Sequence, residues 1–388
     1  MSRSRIGIVG MGAAGLAFVP ALQRHPGFEW VALAEPNADL RQRCARDNDV
    51  VGYDSLRELL AHPGLDAVYI ATPTELHTEQ VIEAATAGKH VLVEKPMATS
   101  LEAARSMVDA AESAGVVLVV GHSHSHDLPI RTMRELIGSG ELGPVGMVNS
   151  WCYTDWVNRP RRPAELDPAL GGGVTFRQGS HQFDILRLLC GGLARSVKAK
   201  TFDWNPQRRS VGAHSAWIDF DNGAAATAIY NGYGGFSTMD LCEDISEWGF
   251  RQTAASRPTH RADSWAGSPQ DELRAKRQRA DSAIPADAPY QPYFGLTVVS
   301  CEHGDIRQSP QGLRVYDRNG MRELVLPVDR SPRELVLDEW HQAIAGRKPA
   351  SHDGRWGLAT LELCLAAMHS ASTGAEVRLS EQVAFNTA

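Results

Sequence analysis

Near its start the chain carries a short apolar run, Arg5-Ile6-Gly7-Ile8-Val9. Glycines follow, and then LAFVPALQRHP, in which apolar residues recur at helical spacing. The rhythm repeats. Trp30 to Ala34 reads as a strand, 54–61 as a helix, Asp66 to Ala71 as a strand and 78–88 as a helix closed by Gly88. His90 to Val93 reads as a strand, 101–115 as a helix and 116–120 as another strand. Strands alternating with helices predict a parallel, doubly wound sheet. Ligands bind beyond the carboxyl ends of such strands. The polar clusters ATPTELH, EKP and GHSHSHD each fall at a predicted strand end.

Further along, the pattern shifts to strand-like stretches at 144–151, 196–202, 213–220, 224–230, 296–301, 305–309, 313–317 and 321–326. Asp221-Asn222-Gly223 and Arg318-Asn319-Gly320 read as hairpin turns. Helices are expected at 129–138, 180–189, 333–345 and 355–372. The stretch 246–292 fits least well, being rich in Arg, Asp, Ser and Ala and holding five of the 21 prolines. It reads as an insertion, helical near 270–280, with lid, oligomer arm and disordered loop as open alternatives.

At 388 residues the chain exceeds what one core usually serves, and a division into 1–126 and 127–388 is expected. A formal charge of -7 argues against a nucleic-acid or anionic-membrane surface as main partner. No run of about 18 apolar residues is present. The six cysteines are scattered without a CxxC pair, which suits free thiols in a reducing cytoplasm.

Gly10-Met11-Gly12-Ala13-Ala14-Gly15 is a GxGxxG with a strand before it and a helix after it. Gly10 permits the tight turn, Gly12 admits a pyrophosphate close to the backbone, and Gly15 lets helix and strand pack closely. Ala13 and Ala14 open the helix, whose free N–H groups face the phosphates. Glu35 ends the second strand, 20 residues beyond Gly15, where a carboxylate accepts from the ribose hydroxyls. It repels a 2′-phosphate, which favours NAD. Arg41 and Arg43 keep NADP open.

GMGAAG, ATPTELH, VEKPMA and GGGVTFRQGSHQFD together resemble the Gfo/Idh/MocA family of nicotinamide-dependent oxidoreductases, over essentially the whole chain. GHSHSHDLPI, RPRRPAELDPALGGGV and FGLTVVSCEHGDIRQSPQGLRVY are similar to the branch that contains phthalate 4,5-dihydrodiol (4,5-dihydroxyphthalate) dehydrogenases. The resemblance implies a Rossmann domain followed by an α/β domain on a large, open, mostly antiparallel sheet. It also implies a homo-oligomer, dimer or tetramer, and chemistry without a metal. Thr72, Pro73, His77, Glu94, Lys95 and Pro96 would line the cofactor, with Lys95–Pro96 cis. Lys95 would be the catalytic proton acceptor and His181 a second base or a substrate hydroxyl ligand.

Many relatives carry an aspartate where this chain has Arg177, followed by Gln178. An arginine is no base, but it pairs bidentately with carboxylates. Arg159, Arg161 and Arg162 lie in the loop NRPRRP. Together they favour a carboxylated cis-dihydrodiol, of the phthalate type, oxidised to a catechol. A structural ion pair for Arg177 is the competing reading. A sugar or inositol dehydrogenase and a non-catalytic NAD sensor are the alternative functions.

In an extended GHSHSHD, His122, His124 and His126 would share one face. Three such histidines could bind zinc, but no acidic or cysteine partner has suggestive spacing, so no metal is expected. His122 and His124 are expected to line the substrate pocket.

Overall fold

The structure is a computed structural model describing residues 3–252, 268–282 and 288–385. Its first part runs β1 (Ser4–Val9), α1 (Ala13–Arg24), β2 (Phe28–Ala34), α2 (Ala38–Asn48), β3 (Val51–Tyr53), α3 (Leu56–Leu60), β4 (Ala67–Ile70), α4 (Thr74–Thr86), β5 (His90–Val93), α5 (Leu101–Ala114) and β6 (Leu118–Val120). The six strands pair in parallel in the order β3-β2-β1-β4-β5-β6. The order switches between β1 and β4, so a crevice opens at their carboxyl ends. α2 and β3 were not expected. α2 buries Cys44 and little else, and β3 is three residues with no buried side chain, so neither carries an apolar signature.

After β6 comes a single 3-10 turn, Ser123–His126, where an extended segment was expected. The chain continues through α6 (Leu128–Ser139), β7 (Val145–Tyr153), α7 (Pro163–Leu166), α8 (Val174–Arg177), α9 (Gly179–Cys190), β8 (Ala194–Phe202), β9 (Ala213–Phe220) and β10 (Ala225–Asn231). It closes with α10 (Pro269–Ser282), β11 (Leu296–Cys301), β12 (Gly304–Ser309), β13 (Gly312–Asp317), β14 (Gly320–Val325), α11 (Pro332–Ile344), α12 (Gly354–Thr373) and β15 (Val377–Arg378). α10 is the helix expected inside the insertion; 253–267 and 283–287, where the loop alternative falls, lie outside the described residues.

Nine strands form the second sheet, in the order β14-β13-β12-β11-β7-β10-β9-β8-β15. Every pairing is antiparallel except β10 with β7. One row across it reads Val197, Ile218, Ala226, Val148, Val299, Ile306, Val315, all buried. One residue along, Trp217, Thr227, Asn149, Val298, Arg307 and Arg314 form the opposite face. The two-residue period of the strands puts the core on one face and leaves the other uncovered except near Leu296 and Val298, where Cys242, Ile245 and Tyr293 pack.

α12 joins the two sheets. Leu358 and Leu361 pack with Val108 and Val120 in the nucleotide core, while Leu363, Cys364 and Ala367 belong to the core under the nine-stranded sheet. Gly357 allows the approach, since a Cβ there would stand 2.4 Å from Val120 Cγ2. α9 is buried at all twelve of its positions, polar ones included. Its Arg187 donates to the Trp356 carbonyl at 3.0 Å, to Thr360 Oγ1 at 2.7 Å and to Gln382 at 2.9 Å. The guanidinium also lies 3.9 Å from the centre of the Trp356 ring. Arg187→Met strands these acceptors in a dry interior. It is expected to cost about 3 kcal/mol, read as a lowered midpoint of urea unfolding; an unchanged midpoint would mean that Arg187 is not a central strut.

Candidate active site

The glycine turn is built for a ligand. Gly10 has φ +91°, and a Cβ on Gly15 would strike the Gly10 carbonyl oxygen at 2.1 Å. A Cβ on Gly12 would meet nothing within 4 Å, so that position faces open space, with Ala13 and Ala14 opening α1 beside it. The Glu35 carboxylate is held over this turn by the N–H of Met11 at 2.9 Å and that of Asn37 at 3.0 Å. Arg41 spends a nitrogen on the Glu35 carbonyl at 2.6 Å. The residues present therefore fit an adenine dinucleotide with free ribose hydroxyls.

Pro73 caps α4, which starts at Thr74 rather than 78. The Thr72 hydroxyl donates to Gln80 at 2.5 Å. His77 departs from expectation. It is buried, with ring nitrogens 2.9 Å from the Thr72 carbonyl oxygen and 3.1 Å from that of Pro96. It braces two ligand-facing turns and has no polar atom left for a cofactor. Glu94 accepts from the Tyr69 hydroxyl at 2.7 Å, and the Lys95–Pro96 bond is cis.

Lys95 Nζ reaches the Arg177 carbonyl at 3.4 Å. Burial pushes its ammonium below the ordinary lysine range; Glu94 opposes this and Arg177 reinforces it. His181, in the first turn of α9, has an Nδ1 with no hydrogen-bond partner. Burial, then the Lys95 charge, hold it well below the usual histidine range, so the ring is neutral. Arg177 ends α8. Its Nη1 lies 3.5 Å from Thr74 Oγ1, whereas the buried Nε and Nη2 have no partner. Gln178 links α8 to α9 and accepts the His181 N–H on its carbonyl at 3.1 Å.

The three histidines of GHSHSHD diverge, because a 3-10 turn advances each side chain by about a third of a revolution. His124 goes to the catalytic side. It stands between Asp127 (Nδ1 to Oδ2, 3.1 Å) and Glu247 (Nε2 to Oε1, 3.3 Å), stacks on Phe294, and meets His181 edge-on at 4.6 Å. Burial opposes its charge, but the two carboxylates outweigh burial and push it up to about 9. Both ring nitrogens are spent, so His124 buttresses His181 and cannot also donate to a substrate. His122 turns toward Asp184, 4.0 Å away, and burial pushes it down to about 4. Asp184 accepts from Trp356 Nε1 at 2.6 Å and does not orient His181. His126 faces Glu339 and His352.

The loop arginines also depart from expectation. Arg159 donates to Asp155 at 2.6 Å and lies 4.0 Å from Glu247. Arg161 caps the Trp156 carbonyl at 3.2 Å and lies over the indole ring. Arg162 pairs with Glu75 at 3.0 Å. These cations already hold carboxylates and carbonyls, leaving Arg177 as the unspent member of the four. α10 holds the same loop: Glu272 accepts the Arg161 N–H at 2.7 Å and pairs with Arg208, and Lys276 pairs with Glu165. A cavity of about 220 Å³ adjoins the site through Glu247 and Phe294, lined also by Arg159, Tyr230 and Trp248. Glu247 was not foreseen, since nothing in its spacing links it to His124 and Arg159, both far away in the sequence.

The signature of an oxidoreductase family with an NAD-binding Rossmann fold matches residues 4–122, and that of a GFO/IDH/MocA C-terminal domain matches 130–235. The 1-carboxy-3-chloro-3,4-dihydroxycyclohexa-1,5-diene dehydrogenase of Comamonas testosteroni is 37% identical over 370 residues, 93% of either chain. The 1,5-anhydro-D-fructose reductase of Ensifer adhaerens is 40% identical over 188 residues, 48% of this chain and 56% of that one. A crystal structure from Bordetella bronchiseptica RB50, of a protein assigned as a dehydrogenase, superimposes with a TM-score of 0.91 at 37% identity, covering 97% of this chain and all of that one.

Glu35→Ala is expected to weaken NAD binding about tenfold and to narrow discrimination against NADP, measured as the ratio of the two dissociation constants. An unchanged ratio would remove Glu35 from cofactor choice.

Proposed function

The chain belongs to the Gfo/Idh/MocA family of NAD-dependent oxidoreductases, and from that premise we propose that it oxidises a carboxylated cyclic cis-dihydrodiol to the corresponding catechol. Arg177 carries this reading. A buried guanidinium with two nitrogens unpartnered is costly, and a carboxylate relieves that cost with paired hydrogen bonds. Arg159, Arg161 and Arg162 are already engaged, so one substrate carboxylate is the better fit than two. The name of the Comamonas relative, a carboxylated dihydroxycyclohexadiene dehydrogenase, supports the same substrate class. The outer face of the nine-stranded sheet, with Met147, Trp217 and Met321 exposed, suits the homo-oligomer that belongs to this reading.

NAD, bound along Gly10 to Gly15 and Glu35, supplies the hydride acceptor. Arg177 holds the carboxylate and so fixes how the ring lies. The unpartnered Nδ1 of neutral His181 takes a hydrogen bond with a ring hydroxyl. Lys95, its ammonium pushed down by burial, accepts the proton of the reacting hydroxyl as the C–H bond breaks. The ring ketone then tautomerises: its remaining sp3 ring carbon gives up a proton, the carbonyl oxygen takes one, and the catechol forms, a step that aromaticity makes favourable. His124 keeps His181 in place, and the Asp127 and Glu247 carboxylates keep His124 charged.

The substrate class is tested by NADH formation with a carboxylated cis-dihydrodiol, its carboxyl-free counterpart and myo-inositol. Turnover is expected with the first, at a kcat/KM about a hundredfold above the second; turnover with the cyclitol alone would discard the reading. The proton acceptor is tested by pH. Lys95 works as its free amine, so kcat/KM should rise with pH and level off below the ordinary lysine value of 10.5. Lys95→Ala should lower the plateau about a thousandfold and abolish the rising limb. A rising limb that survives would move the proton acceptor elsewhere.

A further inference from the structure

We propose that His126, Glu339 and His352 form a binding site for a divalent zinc ion. The three come from separate elements: the end of the 3-10 turn, α11, and the residue before the Asp353 cap of α12. His126 Nε2 lies 3.8 Å from Glu339 Oε2, and His352 Nδ1 lies 3.2 Å from both Glu339 oxygens. One ligand atom from each falls within 4.8 Å of the other two. Zinc bonds of 2.0–2.2 Å place tetrahedral ligand atoms roughly 3.4 Å apart, so small side-chain adjustments close the set. Two imidazoles and one carboxylate select a first-row ion over calcium or magnesium, and they leave a position for water.

Two further observations point to a ligand. His126 is 2% exposed, its Nδ1 has no hydrogen-bond partner, and its Nε2 is beyond hydrogen-bond reach of Glu339. Coordination through Nε2, the nitrogen that faces Glu339, gives that atom the partner it lacks there. The far side of His352 is braced as metal-bound histidines usually are. Its Nε2 lies 2.9 Å from Ser125 Oγ and 4.0 Å from Asp184 Oδ2. Arg131 and Asp184 act on the site with opposite charge. The ion would tie α11 and α12 to the turn that holds His124 against His181. Its role is to position the active site, since no ligand touches Lys95 or Arg177.

The test uses the full-length protein, stripped with EDTA and titrated with Zn²⁺ alone and with Co²⁺ alone. One zinc per chain, a visible Co²⁺ spectrum of low coordination number and a raised unfolding temperature with Zn²⁺ are expected. Glu339→Gln and His126→Gln should each weaken zinc binding at least tenfold. His369→Ala, on the exposed end of α12, should leave it unchanged. Circular dichroism checks that each variant is folded, and the wild-type cobalt spectrum stands independently of any variant. Less than a tenth of an equivalent of zinc in the refilled wild type, or binding unchanged in both ligand variants, would overturn the proposal.

Discussion

A helix with no exposed face dictates where the chemistry lies. α9 is buried along all twelve residues, yet it carries His181, Asp184 and Arg187. Polar groups in such a place persist when something satisfies them. Arg187 is satisfied by the α12 backbone and the C-terminal tail, and one Asp184 oxygen by Trp356, while the other faces His122 and His352 at 4.0 Å. His181, at the end nearest the crevice, keeps a ring nitrogen unpartnered. The helix thus fixes its position through one end and offers chemistry at the other. The nine-stranded sheet beneath it and α12 beside it form the wall that makes this burial complete.

Around that end, most charges are spent on one another. Asp127 and Glu247 enclose His124, Asp155 holds Arg159, and Glu75 holds Arg162. Lys95 and Arg177 are left without a carboxylate in hydrogen-bond contact, Lys95 leaning on a carbonyl. In a dry site an unpaired cation attracts an anion strongly. A substrate whose carboxylate reaches Arg177 therefore gains what the fold withholds from that residue. α10 contributes at one remove, by fastening the loop that carries Arg159 to Arg162.

The parallel sheet, the glycine turn and Glu35 were legible in the sequence because each rests on local pattern: apolar runs, φ-permissive glycines, a strand-end carboxylate. The pairing of Lys95 with His181 came from motif resemblance, and spacing alone would not have brought two residues 86 positions apart together. What stayed hidden depends on tertiary contact. GHSHSHD alternates like a strand, but packing against α9 and α11 wins over that pattern and coils it into a turn. The loop arginines looked available because Arg162 meets Glu75 only in the folded chain, and because Arg159 and Arg161 turn back on Asp155 and Trp156, which no spacing rule for a loop predicts. The same reason concealed Glu339 and His352, which reach His126 only after α11 and α12 fold back onto the nucleotide sheet.

The central claim is that Arg177 recognises a carboxylate on the substrate. It is tested most directly by a cycle that deletes each partner in turn. The four kcat/KM values are those of wild type and Arg177→Gln, each with a carboxylated cis-dihydrodiol and with the same ring lacking the carboxyl group. The account predicts strong coupling: the variant loses about a hundredfold or more on the carboxylated substrate and less than about threefold on the other. Equal losses on both substrates would mean that Arg177 is a structural cation, and the carboxylate reading would fall.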